Sequence, residues 1–437
     1  MGDSRSSGHV DVEVGDTRFE IAASNLIIRG LPSPTTLEPP RLVRYETTAQ
    51  NMGGNQNPCD PMIRLVPGVS FVTIENLRVD GGALSGAGAC LGASANEPGG
   101  NPQPNVNDVE ISTNFFPGAG NTLRDITIDG VSFLNAVGRA LIIWGPDIER
   151  VQVRNSSFQE ANLTGILIGR DGVWPANQEL HLSCDPSNLA SVANVPRDIS
   201  IEGNTFWRSW TGATSQNNAR DTVYRNNEFI DNYYQPYDQG GGTVNDEVCS
   251  YNTQFLGRNF FDGRGVDKDT SALELHGLNT RVQAEGGNRT EIRNYFGMGI
   301  IARSVAGLVI RDAVIQDNAR VNQVTEFGNL RWGGIEFYNV CVQEGGSAPV
   351  CRRLIDGVDI QNNTTSNTFF GPGGTQIFGI RFTPGQGGVQ NDDARNVTIP
   401  SNNILSPNVS GPICHPPKNA YFAVNSNIGF SDGPPCP

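Results

Sequence analysis

Charge is scarce in this chain, and a helical pattern is missing. Only 17% of its 437 residues are Asp, Glu, Lys or Arg, and four are histidine. No stretch sustains apolar residues at i, i+3, i+4 and i+7, so amphipathic helices are not expected. No apolar run approaches the roughly 18 residues of a membrane span, which argues against a membrane partner. Cys59, Cys90, Cys184, Cys249, Cys341, Cys351, Cys414 and Cys436 include no Cys-x-x-Cys pair. That leaves out the usual zinc and dithiol spacings. Nothing supports a nucleophile elbow or a phosphate loop. Cations are outnumbered, with a net charge of −14 and a pI of about 4.8. A phosphate backbone would be repelled, so nucleic acid is not an expected partner. The opening Met1-Gly-Asp-Ser-Arg-Ser-Ser is polar and has no signal-peptide core, so a mature chain with an added start Met is expected.

Glycine, asparagine and an even number of cysteines are present in strength. The 52 glycines exceed the roughly 7% of an average chain and favour many turns. Eight cysteines outside metal spacings read as disulfides in an oxidising compartment, hence a secreted protein. Cys341–Cys351 and Cys414–Cys436 are the local pairs expected, because both would pin loops.

One eight-residue pattern recurs: apolar, any, apolar, any, Gly/Asn/Asp, any, any, apolar. It reads Val72-Thr-Ile-Glu-Asn-Leu-Arg-Val79, Ile126-Thr-Ile-Asp-Gly-Val-Ser-Phe133, Val151-Gln-Val-Arg-Asn-Ser-Ser-Phe158 and Ile199-Ser-Ile-Glu-Gly-Asn-Thr-Phe206. Looser copies begin at Thr222, Thr253, Leu308, Val358 and Val397, and Val282-Gln-Ala-Glu-Gly is a degenerate one. Two short strands joined by such a bend cannot bury their faces alone; stacked coils can. Asn and Gly at the fifth position tolerate the left-handed conformation a bend requires, and stacked Asn side chains can hydrogen-bond along it.

A second element follows many copies: a small residue, then apolar, any, apolar. Examples are Ala140-Leu-Ile-Ile-Trp144, Gly165-Ile-Leu-Ile-Gly169, Gly299-Ile-Ile-Ala-Arg303, Gly334-Ile-Glu-Phe-Tyr338 and Gly379-Ile-Arg-Phe-Thr383. Leu273-Glu-Leu-His276, inside Ser271-Ala-Leu-Glu-Leu-His-Gly277, occupies the same place. The combination, over about residues 70 to 405, resembles the right-handed parallel β-helix of the pectin-lyase-like superfamily. The resemblance implies an all-β solenoid of about ten coils and a carbohydrate-active enzyme, but not one chemistry. The Asp-Pro-His-Glu pattern of alginate epimerases is missing, as is the polygalacturonase set of paired Asp with Gly-His-Gly. The expected organisation is an N-terminal cap over 1–65, a β-helix over 66–405 and a C-terminal cap or tail over 406–437. The stretch from Gly81 to Gly120 reads as a long surface loop, and residues 174–196 and 233–247 as insertions.

Aligning the second element with its apolar residues inward sets the outward positions in two columns. The first reads Ile142, Leu167, Glu274, Ile301, Glu336, Arg381; the second reads Trp144, Gly169, His276, Arg303, Tyr338, Thr383. Neighbouring coils lie about 4.8 Å apart, so the ionisable members of both columns should form one outward patch. Glu274 and Glu336, two coils apart, suit the wide carboxyl separation of an inverting glycosidase, with Arg303 between them. His276, Arg303, Tyr338 and Arg381 would bind substrate or tune the carboxyls. Asp238, expected one coil before Glu274, is a reserve carboxylate at retaining distance. Trp210, Tyr237 and Trp332 are candidate sugar-stacking faces.

The same patch permits β-elimination on a uronic-acid polymer, with Arg303 or Arg381 on the uronate and Tyr338 or His276 as base. Asp262, Asp267 and Asp269 lead directly into Glu274. Asp269 is a further catalytic candidate and Asp267 a candidate ligand for Ca²⁺, although no cofactor is required. The expected partner is a polysaccharide or oligosaccharide. A homo-oligomer and a non-enzymatic glycan-binding or adhesive role stay open.

Overall fold

The computed structural model describes residues 11–13, 19–32, 37–43, 61–81, 107–113, 121–136, 139–159, 161, 164–169, 195–207, 212–230, 271–293, 295, 298–318, 333–338, 355–366, 376–383, 394–408, 411–415, 422–424 and 426–430. Among these residues the regular elements are strands, and they pair in parallel. The strands stack in three ladders, two of which join into one sheet through the long strands Gly212–Arg225 and Met298–Ala306, and the fold is a right-handed parallel β-helix. The right hand is the one a twisted strand permits when its crossover packs back onto the sheet. The chain divides into two units. The first comprises Met1–Leu167, Asn204–Ala213 and Tyr233–Lys268; the second comprises Ile168–Gly203, Thr214–Asn232 and Asp269–Pro437.

In the first unit one sheet stacks the short strands Asp11–Glu13, Arg41–Val43, Arg78–Asp80, Ser132–Leu134, Ser157–Gln159 and Thr205–Trp207. A second stacks Leu26–Arg29, Ser70–Glu75, Leu123–Asp129 and Ile148–Arg154. A third stacks Phe19–Ile21, Ile63–Leu65, Asn107–Ser112 and Arg139–Trp144. The eighth position of the repeat points into the core. Phe133, Phe158 and Phe206 stack there with ring centroids 4.7 Å apart and planes 8° from parallel, and all three are fully buried. Their spacing is that of the strands carrying them.

The second unit repeats the plan. Glu228–Ile230, Thr290–Arg293, Ala313–Gln316 and Thr364–Ser366 form one ladder. Arg197–Glu202 opens another, followed by the later half of Gly212–Arg225, then Arg281–Gln283, Val309–Arg311, Asp359–Gln361, Thr398–Ile399 and Asn427–Ile428. Residues 214–220, Ser271–Leu278, Met298–Ala306, Gly333–Tyr338, Phe378–Thr383 and Gly411–Cys414 form the third.

The fifth position of the repeat is left-handed in seven copies, though not at Ala284 or Ser401. Asn76, Gly130, Asn155, Gly203, Asn226, Asp312 and Asn362 have φ between 51° and 64°. A second left-handed residue stands immediately before the repeat: Phe71, Asp125, Arg150, Asp198, Asp221, Gly307, Gly357 and Asn396. Phe71 and Arg150 gain nothing locally from that conformation, which costs such residues about 1–3 kcal/mol each. The strain is imposed by the coil, which must bend on both sides of this strand. At the sixth position an amide bridges coils. Asn363 Nδ2 donates to the Ile310 carbonyl at 2.9 Å, and its Oδ1 accepts the Ala313 N–H at 2.9 Å. Asn403, at the seventh position of its copy, does the same one coil on, donating to the Ile360 carbonyl at 2.8 Å and accepting the Asn363 N–H at 3.0 Å. Each amide satisfies buried backbone groups that the bend removes from the ladders.

Several stretches differ from the sequence expectation. Strands 11–13, 19–21, 26–29 and 41–43 lie in the segment expected as a cap, yet pair in register with later coils. Asn107–Ser112 lies in the stretch expected as a surface loop. In the degenerate repeat Val282 pairs with Ile310, so it holds the third position and Thr280 the first. Sequence matching had begun that copy two residues late, because Thr280 is polar yet buried. Residues 411–414, 422–424 and 427–428 extend the ladders into the tail. The repeat copy at 253–260, residues 174–194 and residues 233–247 lie outside the described residues.

If the phenyl stack holds the first unit, Phe158→Ala should destabilise it by about 3–5 kcal/mol. Ile27→Ala, at a side chain 62% exposed, should stay within about 0.5 kcal/mol. Denaturant unfolding of the two variants makes the comparison; equal effects would contradict this packing account.

Candidate functional site

The third sheet of the second unit carries the first column in the expected order, but Ile301, Glu336 and Arg381 are 0%, 2% and 6% exposed, buried where an open outward patch was expected. Ser215 stands opposite Glu274, Glu274 opposite Ile301, Ile301 opposite Glu336, Glu336 opposite Arg381, and Arg381 opposite Cys414. Alternation turns Leu273, Leu275, Ile335 and Phe337 inward, where they are fully buried. The small residue that opens each copy marks a tight corner. A Cβ at Gly299 would lie 2.6 Å from Ile315 Cγ2, and one at Gly334 would lie 2.5 Å from Thr365 Cγ2.

The column holds two different carboxylate environments. Glu274 Oε2 accepts a hydrogen bond from Ser215 Oγ at 2.9 Å, and Glu274 Oε1 lies 3.2 Å from His276 Nε2. These side chains keep 20% and 14% of their exposure. Glu336 Oε1 instead accepts from Arg381 Nη1 at 3.1 Å, in a pair only 3% and 7% exposed. The guanidinium matches the charge of Glu336 in a place water barely reaches, so removing either partner would strand a buried charge. Glu274 and Glu336 are two strands apart, roughly 10 Å along the stack before their side chains bend.

The second column departs from expectation at one point. Leu275 pairs with Ala302, but His276 pairs with Ser304, which leaves Arg303 as the additional residue of a bulge. Arg303 is therefore on the strand between those of Glu274 and Glu336, out of register with His276. Among the described side chains, Arg381 pairs with Glu336. The strand on the other side is also irregular. Gln216 pairs with Leu275 and Ala219 with Gly277, so Asn217 and Asn218 both stand opposite His276. Both neighbours of Ser271–Leu278 thus gain a residue at the level of His276. Bulges of this kind re-aim side chains and gather beside active sites. Tyr338 pairs with Thr383, as expected.

Sequence reasoning missed Ser215 and Gln216. Gly212–Arg225 is one 14-residue strand with neither a repeat copy nor a small-apolar-any-apolar signature at its start, so its polar residues gave no signal. The column also has charged members in the first unit, where only apolar residues were expected. Arg64 pairs with Glu20 and Glu110 in register, and its Nε lies 3.3 Å from Glu110 Oε1 in a buried ion pair. Both lie in stretches read as cap and loop. Trp210, Tyr237, Asp238, Asp262, Asp267, Asp269 and Trp332 lie outside the described residues. Among the described residues, no group of three or more His, Cys, Asp or Glu side chains converges as metal ligands would.

No family model matches the chain, and no curated protein matches it. Solved structures resemble it at low identity. One is the A-module of the mannuronan C-5 epimerase AlgE6 of Azotobacter vinelandii, at 13% identity and a TM-score of 0.45, covering 98% of this chain and 92% of that one. Another is a DFA-IIIase from Arthrobacter chlorophenolicus A6 in complex with GF2, at 11% identity and 0.46, covering 96% and 77%. A third is tailspike protein 2 of the Escherichia coli O157:H7 bacteriophage CAB120, at 12% identity and 0.46, covering 97% of this chain and 43% of that one. At such values the likeness concerns the fold, which the parallel ladders establish independently.

Gly277 sets the course of the strand directly after His276. Its φ is +137°, and a Cβ there would lie 1.9 Å from the Ala219 carbonyl oxygen. Gly277→Ala should lower stability by about 3 kcal/mol or more, from backbone strain and overpacking together. Thermal unfolding measures it, and a variant that melts within a degree of the parent would contradict the geometry.

Proposed function

We propose that the chain hydrolyses glycosidic bonds in a polysaccharide or oligosaccharide on the outer face of this sheet, with Glu274 and Glu336 as the working carboxyls. The observation carrying the proposal is the register: Glu274, Ile301, Glu336 and Arg381 occupy one column on successive strands. A two-strand separation, shortened as the side chains lean, reaches the roughly 6.5–9.5 Å at which an inverting pair admits a water between carboxyl groups. Glu336 beside Arg381 is assigned the activation of water, which requires this buried pair to open to water as substrate binds. Glu274, bonded to Ser215 and His276, is assigned protonation of the leaving oxygen. The folds named above host several reactions, so the choice among reactions rests on these residues alone.

A second reading, β-elimination on a uronic-acid polymer, is favoured by one contact. His276 lies 3.2 Å from Glu274, and an imidazole oriented by a carboxylate can take a proton. Two observations favour hydrolysis instead. Arg381 is already engaged by Glu336, and a net charge of −14 disfavours the approach of a polyanion at low salt.

The test is a glycan screen with product analysis, followed by E274Q and E336Q. Each substitution should lower kcat by about 10²–10⁴-fold, and the new reducing end should form with inverted configuration. An unsaturated uronate product, with activity surviving E336Q, would replace hydrolysis by elimination. Glycan binding with no product would make the chain a binding module and sink both.

A further inference from the structure

The core behind His276 is not apolar. Gln216, Tyr224 and Thr280 are buried there at 0–1% exposure, and their polar atoms meet one another. Gln216 Nε2 donates to the His276 carbonyl at 3.1 Å and to Thr280 Oγ1 at 2.9 Å, and the Tyr224 hydroxyl donates to Gln216 Oε1 at 3.2 Å. A carbonyl oxygen can only accept, so the contact with His276 fixes which end of the amide carries the nitrogen. Burial pushes the Tyr224 phenol well above its usual range, against a smaller lowering by a hydrogen bond to Thr214. The phenol therefore stays protonated and holds the amide oxygen from the far side.

This network sits where the ladder is out of register. Both neighbouring strands bulge opposite His276, so the regular pairing that would locate its peptide is weakest there. A residue in such a place is held by whatever else binds its backbone. The side chain that does so is a fully buried amide, with both of its ends engaged. Leaving the His276 carbonyl without that donor would strand a buried acceptor, so the strand is held against the amide. The imidazole and the Glu274 carboxyl it touches move with that peptide.

We propose that Gln216, braced by Tyr224 and Thr280, is a positioning residue that sets the placement of His276 against Glu274 from inside the core. The proposal rests on the reading that Glu274 and His276 belong to the working site, but its test need not. With only four histidines in the chain, the ring of His276 can be followed by NMR through a pH titration. Gln216→Met keeps the bulk and removes both polar ends. Tyr224→Phe removes only the brace and is the milder variant, deciding the matter should Gln216→Met fail to fold. Asn363→Ala removes a comparable buried amide away from His276 and is the stability control.

Both network variants should shift the titration midpoint of His276, while Asn363→Ala leaves it in place even as it lowers the melting temperature. Where a glycan substrate is turned over, Gln216→Met should lower kcat by about 10²-fold with KM within about twofold, as misplacement of a reacting group does. An unmoved His276 titration in the folded network variants overturns the proposal, and so does an equal shift in Asn363→Ala. A screen that finds no glycan turnover would end the hydrolytic reading while leaving the NMR result to stand or fall by itself.

Discussion

Along the described ladders, residues stack at the strand spacing on those that hold the same place in the next coil. That in-register superposition is the constraint from which the rest follows. A phenyl ring can lie on a phenyl ring indefinitely, and does so at Phe133, Phe158 and Phe206. An amide can bridge to the next amide, as Asn363 and Asn403 do. A carboxylate cannot lie on a carboxylate without repulsion, so charged columns must alternate sign or be interrupted. The column through Glu274 obeys this rule. Ile301 separates the two glutamates, and Arg381 follows the second.

The interruption gives the two glutamates different surroundings. Glu336 is buried against a guanidinium, whereas Glu274 is half-open and touches a hydroxyl and an imidazole. Environment rather than residue type separates the parts two carboxyls can play. The bulges on either side of Ser271–Leu278 add to the asymmetry, because they break the superposition at the level of His276.

The coil plan was legible because stacking writes itself into sequence as a period. Isoleucine and valine pairs, the residue at the fifth position and the phenylalanine at the eighth recur for the same physical reason in several coils, and they gave the order of the first column from Glu274 to Arg381. What was hidden lay where polar residues stand in for apolar ones inside the core. Thr280 in place of a valine displaced one repeat by two residues, and Gln216 left no trace as a core residue. The bulge at Arg303 was hidden for a different reason. An additional residue in one strand leaves no mark in that strand's own alternation until its partner is known. The left-handed Phe71 and Arg150 were unreadable as well, since neither residue type advertises that conformation.

The bulge at Arg303 has a consequence for how such a surface changes. In a strand of fixed register, gaining or losing one residue turns every later side chain over, so core and surface trade places. Here the additional residue is absorbed within the strand, and Val305 is back in the core, opposite Gly277. Length can therefore vary by one at this spot without the interior registering it. A single insertion or deletion at this spot changes which residue pairs with His276. The outer face is then tuned by counting residues as well as by exchanging them.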